Sequence, residues 1–275
     1  MLDNFIYENH LGVRFNGVEN DVYLNANTLR DYAWTYQTMN GRISRFYRST
    51  TGRKIPLVVA CESTAVANTV RNKLLEIAEA DILARLPGKI YIGEYYTTGY
   101  ITASVKSNYL ITGRFCNIEL TVTSDNPAWY REKTQLFLPA TDDGDMVGET
   151  EYPHDYPYDY AVAASGKNLT CDSIGDNAFK LLVYGAATNP AITIGGHTYA
   201  VNGTVGSGEM LLIDSLTKTI TLITADGKRV NWFDRRARDA YIFKPIPPGQ
   251  HDVTWLGSYG FDLTIIEERS EPRWT

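Results

Sequence analysis

Residues 208–231, GEMLLIDSLTKTITLITADGKRVN, decide the fold predicted for this chain, because short apolar runs alternate there with turn signals. One turn is predicted at 215–218, between two β-forming runs, and a second at Asp226-Gly227. An Asp-Gly pair supplies the positive φ angles that a two-residue hairpin turn requires. Two successive hairpin turns are therefore expected in this stretch.

Similar pairs of predicted strands lie before and after residues 208–231. Residues 191–201, AITIGGHTYAV, form a predicted hairpin that turns at Gly195-Gly196. Residues 251–269, HDVTWLGSYGFDLTIIEER, contain another pair of strands around a Gly-Ser-Tyr-Gly turn. Short strands at intervals of roughly 8–12 residues, with turn signals between them, are typical of a β-sandwich.

The N-terminal half contains one predicted helix, within STAVANTVRNKLLEIAEADILARLPG, residues 63–88. Ser63 or Thr64 is expected to cap its start, and Leu86-Pro87-Gly88 ends it. Apolar residues spaced by three or four positions form one stripe on this helix, at about residues 64–86. The stripe consists of Val66, Val70, Leu74 and Ile77.

The rest of that half is predicted as strands rich in Ile, Val, Tyr and Thr. RISRFYRS and KIPLVVACE are expected to form a hairpin around residues 51–53, before the helix. KIYIGE, GYITASVKS and RFCNIELTVTS follow the helix, and the last alternates Cys116, Ile118, Leu120 and Val122 with more polar residues. The predicted fold class is mainly β (α+β), with one main helix.

Residues 139–160 lose the apolar period and are rich in Asp, Gly and Pro. This change of composition predicts a boundary between two domains. The expected limits are an N-terminal domain over 1–139, an acidic connector rich in proline and tyrosine over 140–160, and a C-terminal domain over 161–275. The connector includes EYPHDYPYDYAV, residues 151–162, whose prolines cannot donate to a sheet ladder.

Composition limits the functions to be considered. The net charge of −6 argues against a nucleic-acid partner, because phosphate binding needs a basic surface. No apolar stretch reaches the roughly 20 residues of a membrane span, so no membrane partner is expected. The start, MLDNFIYENH, lacks the apolar region of a signal peptide, so folding in a cytoplasm is expected. The 3 cysteines are far apart and are predicted to be buried, reduced thiols.

Several short patterns resemble catalytic or metal-binding motifs, and each has a simpler interpretation. Ser215 and Lys218 match the Ser-x-x-Lys of acyl-serine enzymes, but strands on both sides favour a turn. The acids Asp142, Asp143, Asp145, Glu149 and Glu151 fail the EF-hand spacing and are interpreted as a solvated loop. The glycine-rich 203–208 is interpreted as a hairpin loop.

The histidines His10, His154, His197 and His251 are scattered and show no metal-ligand spacing. A pair of carboxylates for glycoside hydrolysis stays open, because such residues meet only in space. No catalytic, cofactor-binding or metal-binding residue is predicted, and an enzyme is not expected.

The order of several motifs resembles the distal tail protein family of long-tailed bacteriophages and prophages. In that family a strand that follows Asn-Pro comes first, and a hairpin that contains Gly-Glu and Ile-Asp comes second. A strand that begins with Pro-Pro-Gly follows, and the chain ends near a Pro-x-Trp. The corresponding residues here are Asn189-Pro190, Gly208-Glu209, Ile213-Asp214, Pro247-Pro248-Gly249 with Val253 and Trp255, and Pro272-Arg273-Trp274. The N-terminal half also resembles the family, from the Leu-Pro-Gly that ends the helix to the stretch DNPAWYREK. In addition, a Pro-Tyr-Asp-Tyr sequence precedes the second domain, as it often does in the family.

The resemblance implies an N-terminal ring-forming domain and a C-terminal galectin-like β-sandwich. It further implies a structural protein of the virion, a hexameric ring hub at the distal end of the tail tube. Its partners would be other copies of itself, the tail tube protein, and the tail tip, baseplate or receptor-binding proteins. The family has no catalytic residues to carry over, and 151–162 would join the two domains.

An alternative function is a carbohydrate-binding β-sandwich used in adhesion to the host surface. It would use exposed aromatic rings such as those of Trp232 and Trp255. An open groove with an exposed ring and polar groups around it distinguishes this alternative from a purely structural role.

Overall fold

The computed structural model of the chain describes residues 4–108, 113–139 and 165–274. Within these residues strands predominate and a single α-helix is present, which confirms the predicted mainly β fold. No helix in this part of the chain is both long and apolar enough to cross a membrane.

Two compact units are formed, one by the chain up to Arg131 together with Glu268–Thr275, the other by Glu132–Glu267. The division falls inside a strand, upstream of the connector predicted over 140–160. Packing explains this position, because Phe137 is buried in the core of the second unit. The predicted connector lies outside the described residues.

The first unit is built from antiparallel strands and one helix. They are β1 (Ile6–Glu8), β2 (Arg14–Asn16), β3 (Val22–Leu24), β4 (Thr35–Met39), β5 (Arg42–Tyr47), β6 (Thr51–Ala60), α1 (Thr64–Ala84), β7 (Gly88–Ile92), β8 (Tyr95–Ser107), β9 (Phe115–Ser124) and the first residues of β10 (Trp129–Phe137).

The long strand β8 belongs to two runs of paired strands. Its first half pairs with β7 and, at Tyr96, with β10, and β7 continues to β1 and β2. Its second half pairs with β9, which continues to β6 and β3. A register shift between Ile101 and Ala103 lies where the pairing changes from one run to the other. The buried positions of β9 are Cys116, Ile118, Leu120 and Val122, together with Ser124, so the alternation predicted for these four is confirmed.

The helix α1 follows the prediction closely. Ser63 accepts a hydrogen bond from the Val66 amide at 3.2 Å, and Arg85 ends the helix with a φ of 56°. Val66 is half-buried and packs against the core, whereas the rest of the predicted stripe is buried. The stripe joins the core side chains Phe5, Tyr7, Phe15, Ile55, Leu57 and Ile118.

The second unit consists of the remaining residues of β10 and eleven further strands. They are β11 (Ser165–Cys171), β12 (Ala178–Tyr184), β13 (Ala187–Thr188), β14 (Ala191–Ile194), β15 (His197–Ala200), β16 (Thr204–Val205), β17 (Met210–Asp214), β18 (Thr219–Ile223), β19 (Arg229–Asn231), β20 (Gly249–Trp255) and β21 (Phe261–Arg269), the last of which ends in the first unit.

Two layers of strands enclose the core of this unit. One has the order β10-β21-β12-β17-β18-β19, and the other β11-β20-β14-β15. Buried residues of both layers form one cluster, in which Trp255 meets the Phe261 ring edge-to-face at 5.1 Å. The unit is therefore a β-sandwich, and its predicted galectin-like character stays a prediction.

The hairpin turns predicted at Gly195-Gly196, at 215–218 and at Asp226-Gly227 are confirmed. Gly195 and Gly196 join β14 to β15 with φ angles of 53° and 78°. Residues 215–218 join β17 to β18, and Asp226-Gly227 lies between β18 and β19. The hairpin loop predicted over 203–208 is wrong, because Thr204 and Val205 form β16, which pairs with β13.

The strand pairing predicted around residues 51–53 needs correction. The hairpin around 51–53 is wrong, because those residues lie inside β6, and β5 pairs instead with β4 across Asn40-Gly41. The Asn40-Gly41 turn joins β5 to β4, whereas β6 takes its partners β3 and β9 from more distant parts of the chain. The two strands predicted within 251–269 are present as β20 and β21 on either side of the turn. Their partners lie elsewhere, since β20 pairs with β11 and β14, and β21 pairs with β12.

Candidate interaction surfaces

Residues of the short sequence motifs make hydrogen bonds with the protein backbone. Ser215 is buried and its hydroxyl oxygen accepts a hydrogen bond from the Phe179 amide at 2.6 Å, which fits its predicted turn role. His197 and His251 contact the backbone oxygens of Tyr241 and Pro247. In the part of the chain that the structure describes, no three His, Cys, Asp or Glu side chains come together as a metal site. His154 and the acids at 142–151 lie outside that part.

The cysteines confirm the prediction of buried thiols, since Cys61, Cys116 and Cys171 are all buried and free. Burial raises the pKa of Cys61 and Cys171, which makes these two poor nucleophiles at neutral pH.

A buried polar network joins three elements of the first unit. Asp81, near the end of α1, is fully buried and accepts hydrogen bonds from the Tyr7 hydroxyl and, at 2.8 Å, from the His10 amide. The His10 Nδ1 lies 2.6 Å from the same carboxylate. Burial, first, and the Asp81 carboxylate together raise the pKa of the Tyr7 hydroxyl. A side chain at Gly88 would collide with both partners, so these residues form a packed clamp between β1, α1 and β7.

The hairpin of β4 and β5, here called the arm, is a possible contact surface that the sequence analysis missed. Its tip is Asn40-Gly41, whose positive φ angles of 52° and 73° suit a hairpin turn. This Asn-Gly pair was the available sequence signal. The side chains from Tyr36 to Phe46 are all exposed. An isolated two-stranded hairpin is only marginally stable in water, so a surface that covers the arm would stabilise it.

A β-bulge gives the arm one apolar face. Tyr36 lies opposite Phe46, and after a register shift Thr38 lies opposite Ile43. Residues opposite each other, or two apart on one strand, share a face of the ladder, so these four lie together. Tyr36, Ile43 and Phe46 are 58%, 53% and 58% exposed, which leaves this face uncovered. The opposite face carries Gln37, Met39, Arg42 and Arg45.

A second apolar surface of the first unit is a groove between α1, β8 and β9, here called the helix groove. It has a volume of about 240 Å³. Leu75 and Ile82 on its wall are 53% and 41% exposed. Its apolar lining is Leu74, Leu75, Ala78, Ile82, Ile101, Ala103, Ile118 and Leu120.

The charged residues of the helix groove differ in whether they have partners. Arg71 donates to the backbone oxygens of Ala67 and Gly113, and Lys106 donates to that of Ser104. Glu79 has no hydrogen-bond or ion-pair partner among the described residues. The groove therefore combines an apolar wall with one uncompensated negative charge.

In the second unit, the segment 232–244 and the neighbouring strands form two adjoining concave surfaces, here called the cationic hollow. Their volumes are about 470 Å³ and 380 Å³, and Lys218 and Phe233 line both. Four cationic residues and a single acid, Asp239, line them. The cations are Lys218, Arg229, Arg236 and Arg238.

The two tryptophans named for a carbohydrate site do not lie in such a groove. Trp255 is 3% exposed and packs in the core, and Trp232 is 9% exposed beneath the Arg235 guanidinium at 4.7 Å. The aromatic rings of the cationic hollow are instead Phe233, Tyr241 and Phe243, of which Tyr241 is 56% exposed.

Comparison with known proteins gives matches only among solved structures. No family model and no curated protein matches the sequence. A chain of the phage P2 baseplate in its activated conformation is similar with a TM-score of 0.64 in the form with Ca and 0.63 in the form with Sr, each at 11% identity. These matches cover 99% of this chain and 100% of the other.

The SPP1 Dit protein, described as a paradigm of hub adsorption apparatus in phages that infect Gram-positive hosts, is also similar. Its TM-score is 0.57 at 10% identity, with 98% of this chain and 100% of that chain covered. Similarity at such low identity establishes the fold. The resemblance to the distal tail proteins is therefore confirmed at the level of the fold, over nearly the whole chain.

Proposed function

We propose that this protein is a structural component of a bacteriophage tail. The observation that carries the proposal is the fold shared over nearly the full length with phage baseplate and hub proteins. In this role the chain forms a hexameric ring at the distal end of the tail tube, and it joins the tube protein to the tail tip or baseplate. The proposed location is the virion, and the role involves no catalysis.

The first unit has the surfaces that such a ring needs. A closed ring repeats one heterologous contact, in which a surface of one copy meets a different surface of the next. The apolar face of the arm and the apolar wall of the helix groove are two such surfaces on the same chain. Phe46 is 58% exposed, so covering the rest of its ring would contribute roughly 1–2 kcal/mol per contact.

Charge also supports pairing of the arm with the groove. Arg42 and Arg45 have no ion-pair partner within the described ranges, and the arm carries no acid. Glu79 in the helix groove is likewise uncompensated. We infer that the arm of one copy enters the helix groove of the next, with an arginine of the arm near Glu79.

The test is the mass of the full chain in solution over a range of concentrations, measured by analytical ultracentrifugation. The wild-type chain is expected to form closed assemblies, and Phe46→Ser to shift it towards monomer. Ile174→Ser is the matched control, because Ile174 is 80% exposed in the second unit and far from both surfaces in sequence.

Charge exchange tests the specific pairing. Arg45→Glu is expected to weaken assembly, and adding Glu79→Arg to that variant is expected to restore it. A chain that stays monomeric at all concentrations, alone and with tube or tip proteins, contradicts the ring. Assembly that is unaffected by Phe46→Ser and Arg45→Glu contradicts the arm contact and leaves the ring to other surfaces.

A further inference from the structure

The cationic hollow of the second unit has an unusual charge for this protein. The chain has a net charge of −6, yet the hollow has four cationic residues and one acid. The side chains of Lys218, Arg229 and Arg238 make no hydrogen bond or ion pair with other described residues. These three side chains therefore present unneutralised positive charge to a ligand.

The fourth cation is already held in place. The Arg236 guanidinium stacks on the Phe233 ring at 4.1 Å, and its Nη1 donates to the Phe233 backbone oxygen at 2.8 Å. The carboxylate of Asp234 lies 3.8 Å from the Arg236 guanidinium and is almost fully exposed. A guanidinium fixed by stacking loses little conformational entropy when it binds a planar or tetrahedral anion.

The backbone of the hollow is also fixed. The amide of Ala237 donates to the Ala200 oxygen at 3.0 Å, and that of Asn202 donates to the Arg235 oxygen at 2.7 Å. The Tyr199 hydroxyl donates to the Lys244 oxygen at 2.8 Å. The segment is thus anchored to β15 and to the loop that follows it, which lowers the ordering cost of binding.

Aromatic rings complete the surface. Phe233 lines both concave parts, and Tyr241 meets the buried Phe243 ring edge-to-face at 6.0 Å while its own ring stays exposed. Exposed rings pack against the apolar faces of sugars and polyols, and the tyrosine hydroxyl can bond their hydroxyl groups. Cations and rings together suit a ligand that is both anionic and rich in hydroxyl groups.

We propose that the cationic hollow binds an anionic glycan, a polymer of sugar or polyol units that carries phosphate or carboxylate groups. A neutral sugar would leave the cations unpaired. A nucleic acid is disfavoured because the rest of the chain is acidic. Two adjoining concave parts that share Lys218 and Phe233 fit successive units of such a polymer.

Isothermal titration calorimetry on the full chain tests the proposal with three probes. They are poly(glycerol phosphate), polygalacturonate and neutral dextran, so the first two distinguish phosphate from carboxylate as the source of charge. Binding of at least one anionic polymer is expected, and it should weaken as salt is added. Dextran should not bind measurably.

Paired variants of equal charge change test the location. Arg229→Gln with Arg238→Gln is expected to weaken binding by roughly tenfold or more, because charge-assisted hydrogen bonds are lost. Lys133→Gln with Lys167→Gln changes the net charge equally at exposed positions outside the hollow, and less than about a twofold effect is expected. Tyr241→Ala should weaken binding by roughly threefold to tenfold without changing its salt dependence.

Circular dichroism of every variant checks that the fold is kept. The proposal is overturned if neither anionic polymer binds at low salt, or if dextran binds as tightly as they do. Equal loss of affinity in the two paired variants also overturns it, because binding would then depend on overall charge. None of these outcomes bears on ring formation, which is measured by mass.

Discussion

At the residue scale, the first unit depends on a buried carboxylate whose oxygens are all used. Asp81 accepts hydrogen bonds from two parts of the N-terminal strand region, at Tyr7 and His10. A buried polar group that loses a partner retains its desolvation cost, so this clamp is sensitive to small chemical changes. Gly88 leaves the space into which the clamp fits.

Asp81→Asn is expected to lower the free energy of unfolding by about 1–3 kcal/mol, because an amide nitrogen replaces one accepting oxygen. Urea denaturation followed by circular dichroism measures this change. Glu76→Gln is the control, since Glu76 is an exposed acid on the same helix. Equal stability of the two variants would show that the clamp contributes nothing.

Tyr130 makes stability depend on pH in the alkaline range. Burial, with a smaller contribution from the Glu268 carboxylate, raises the pKa of Tyr130 to about 12 in the folded chain. A tyrosine in the unfolded chain ionises near a pKa of about 10. Because the folded pKa is the higher one, the stability contributed is complete below pH 10 and is lost as the pH rises through about 12.

The melting temperature is therefore expected to fall between about pH 10 and pH 12, and less steeply in Tyr130→Phe than in the wild type. Thermal denaturation followed by circular dichroism across that range gives the slopes. Tyr32→Phe removes an exposed tyrosine of the same unit and serves as the control. If the melting temperature falls with pH as steeply in Tyr130→Phe as in the wild type, other groups cause the loss of stability at alkaline pH.

At the scale of elements, α1 and the arm show opposite uses of an apolar face. The α1 stripe is covered by its own chain, whereas the arm leaves Tyr36, Ile43 and Phe46 exposed. Two paired strands alone cannot bury both of their faces. An uncovered amphipathic hairpin is therefore expected to be stabilised when a partner covers it.

Leu74→Ala is expected to destabilise the first unit by about 2–5 kcal/mol, because it removes buried methyl groups and leaves a cavity. Leu83→Ala is a matched control on the same helix, where Leu83 is 78% exposed. Alanine is a good helix former, so the control should change stability by less than about 0.5 kcal/mol. Similar effects of the two substitutions would contradict the assignment of the buried face.

At the scale of the whole molecule, the chain returns to its first unit at its end. Arg48 pairs with Glu268, and Arg30 donates to the Pro272 oxygen at 3.1 Å while its guanidinium stacks on the Trp274 ring at 4.1 Å. The last residues are thus part of the first unit. A fragment that ends at residue 139 lacks them, so the full chain is the appropriate material for measurements of assembly.

Deletion of residues 268–275 is expected to lower the free energy of unfolding of the first unit by roughly 1–2 kcal/mol, through loss of the cation–π contact and of partly exposed polar contacts. Differential scanning calorimetry would show a lower transition temperature for the first unit and an unchanged transition temperature for the second unit. Arg273→Ala alone keeps these contacts of Arg30 and Arg48 and serves as the control. If both transition temperatures fall equally, residues 268–275 stabilise the second unit as well as the first.

Features that depend on near neighbours along the chain were predictable from the amino-acid pattern. The helix predicted at about residues 64–86, the alternation in β9 and the glycine turns of the second unit follow from side-chain period and backbone φ, which are local properties. The order of motifs from Asn189-Pro190 to Pro272-Arg273-Trp274 was enough to indicate the fold that the solved structures share with this chain.

Strand pairing and contacts between distant side chains depend instead on the folded chain. β6 pairs with β3 and β9, which come from distant parts of the chain, and β5 pairs instead with β4 across the Asn40-Gly41 turn. The helix groove, the Asp81 clamp and the cationic hollow each bring together residues from separate elements, at spacings that no periodic pattern records. The placement of Glu268 in the first unit likewise follows from long-range packing.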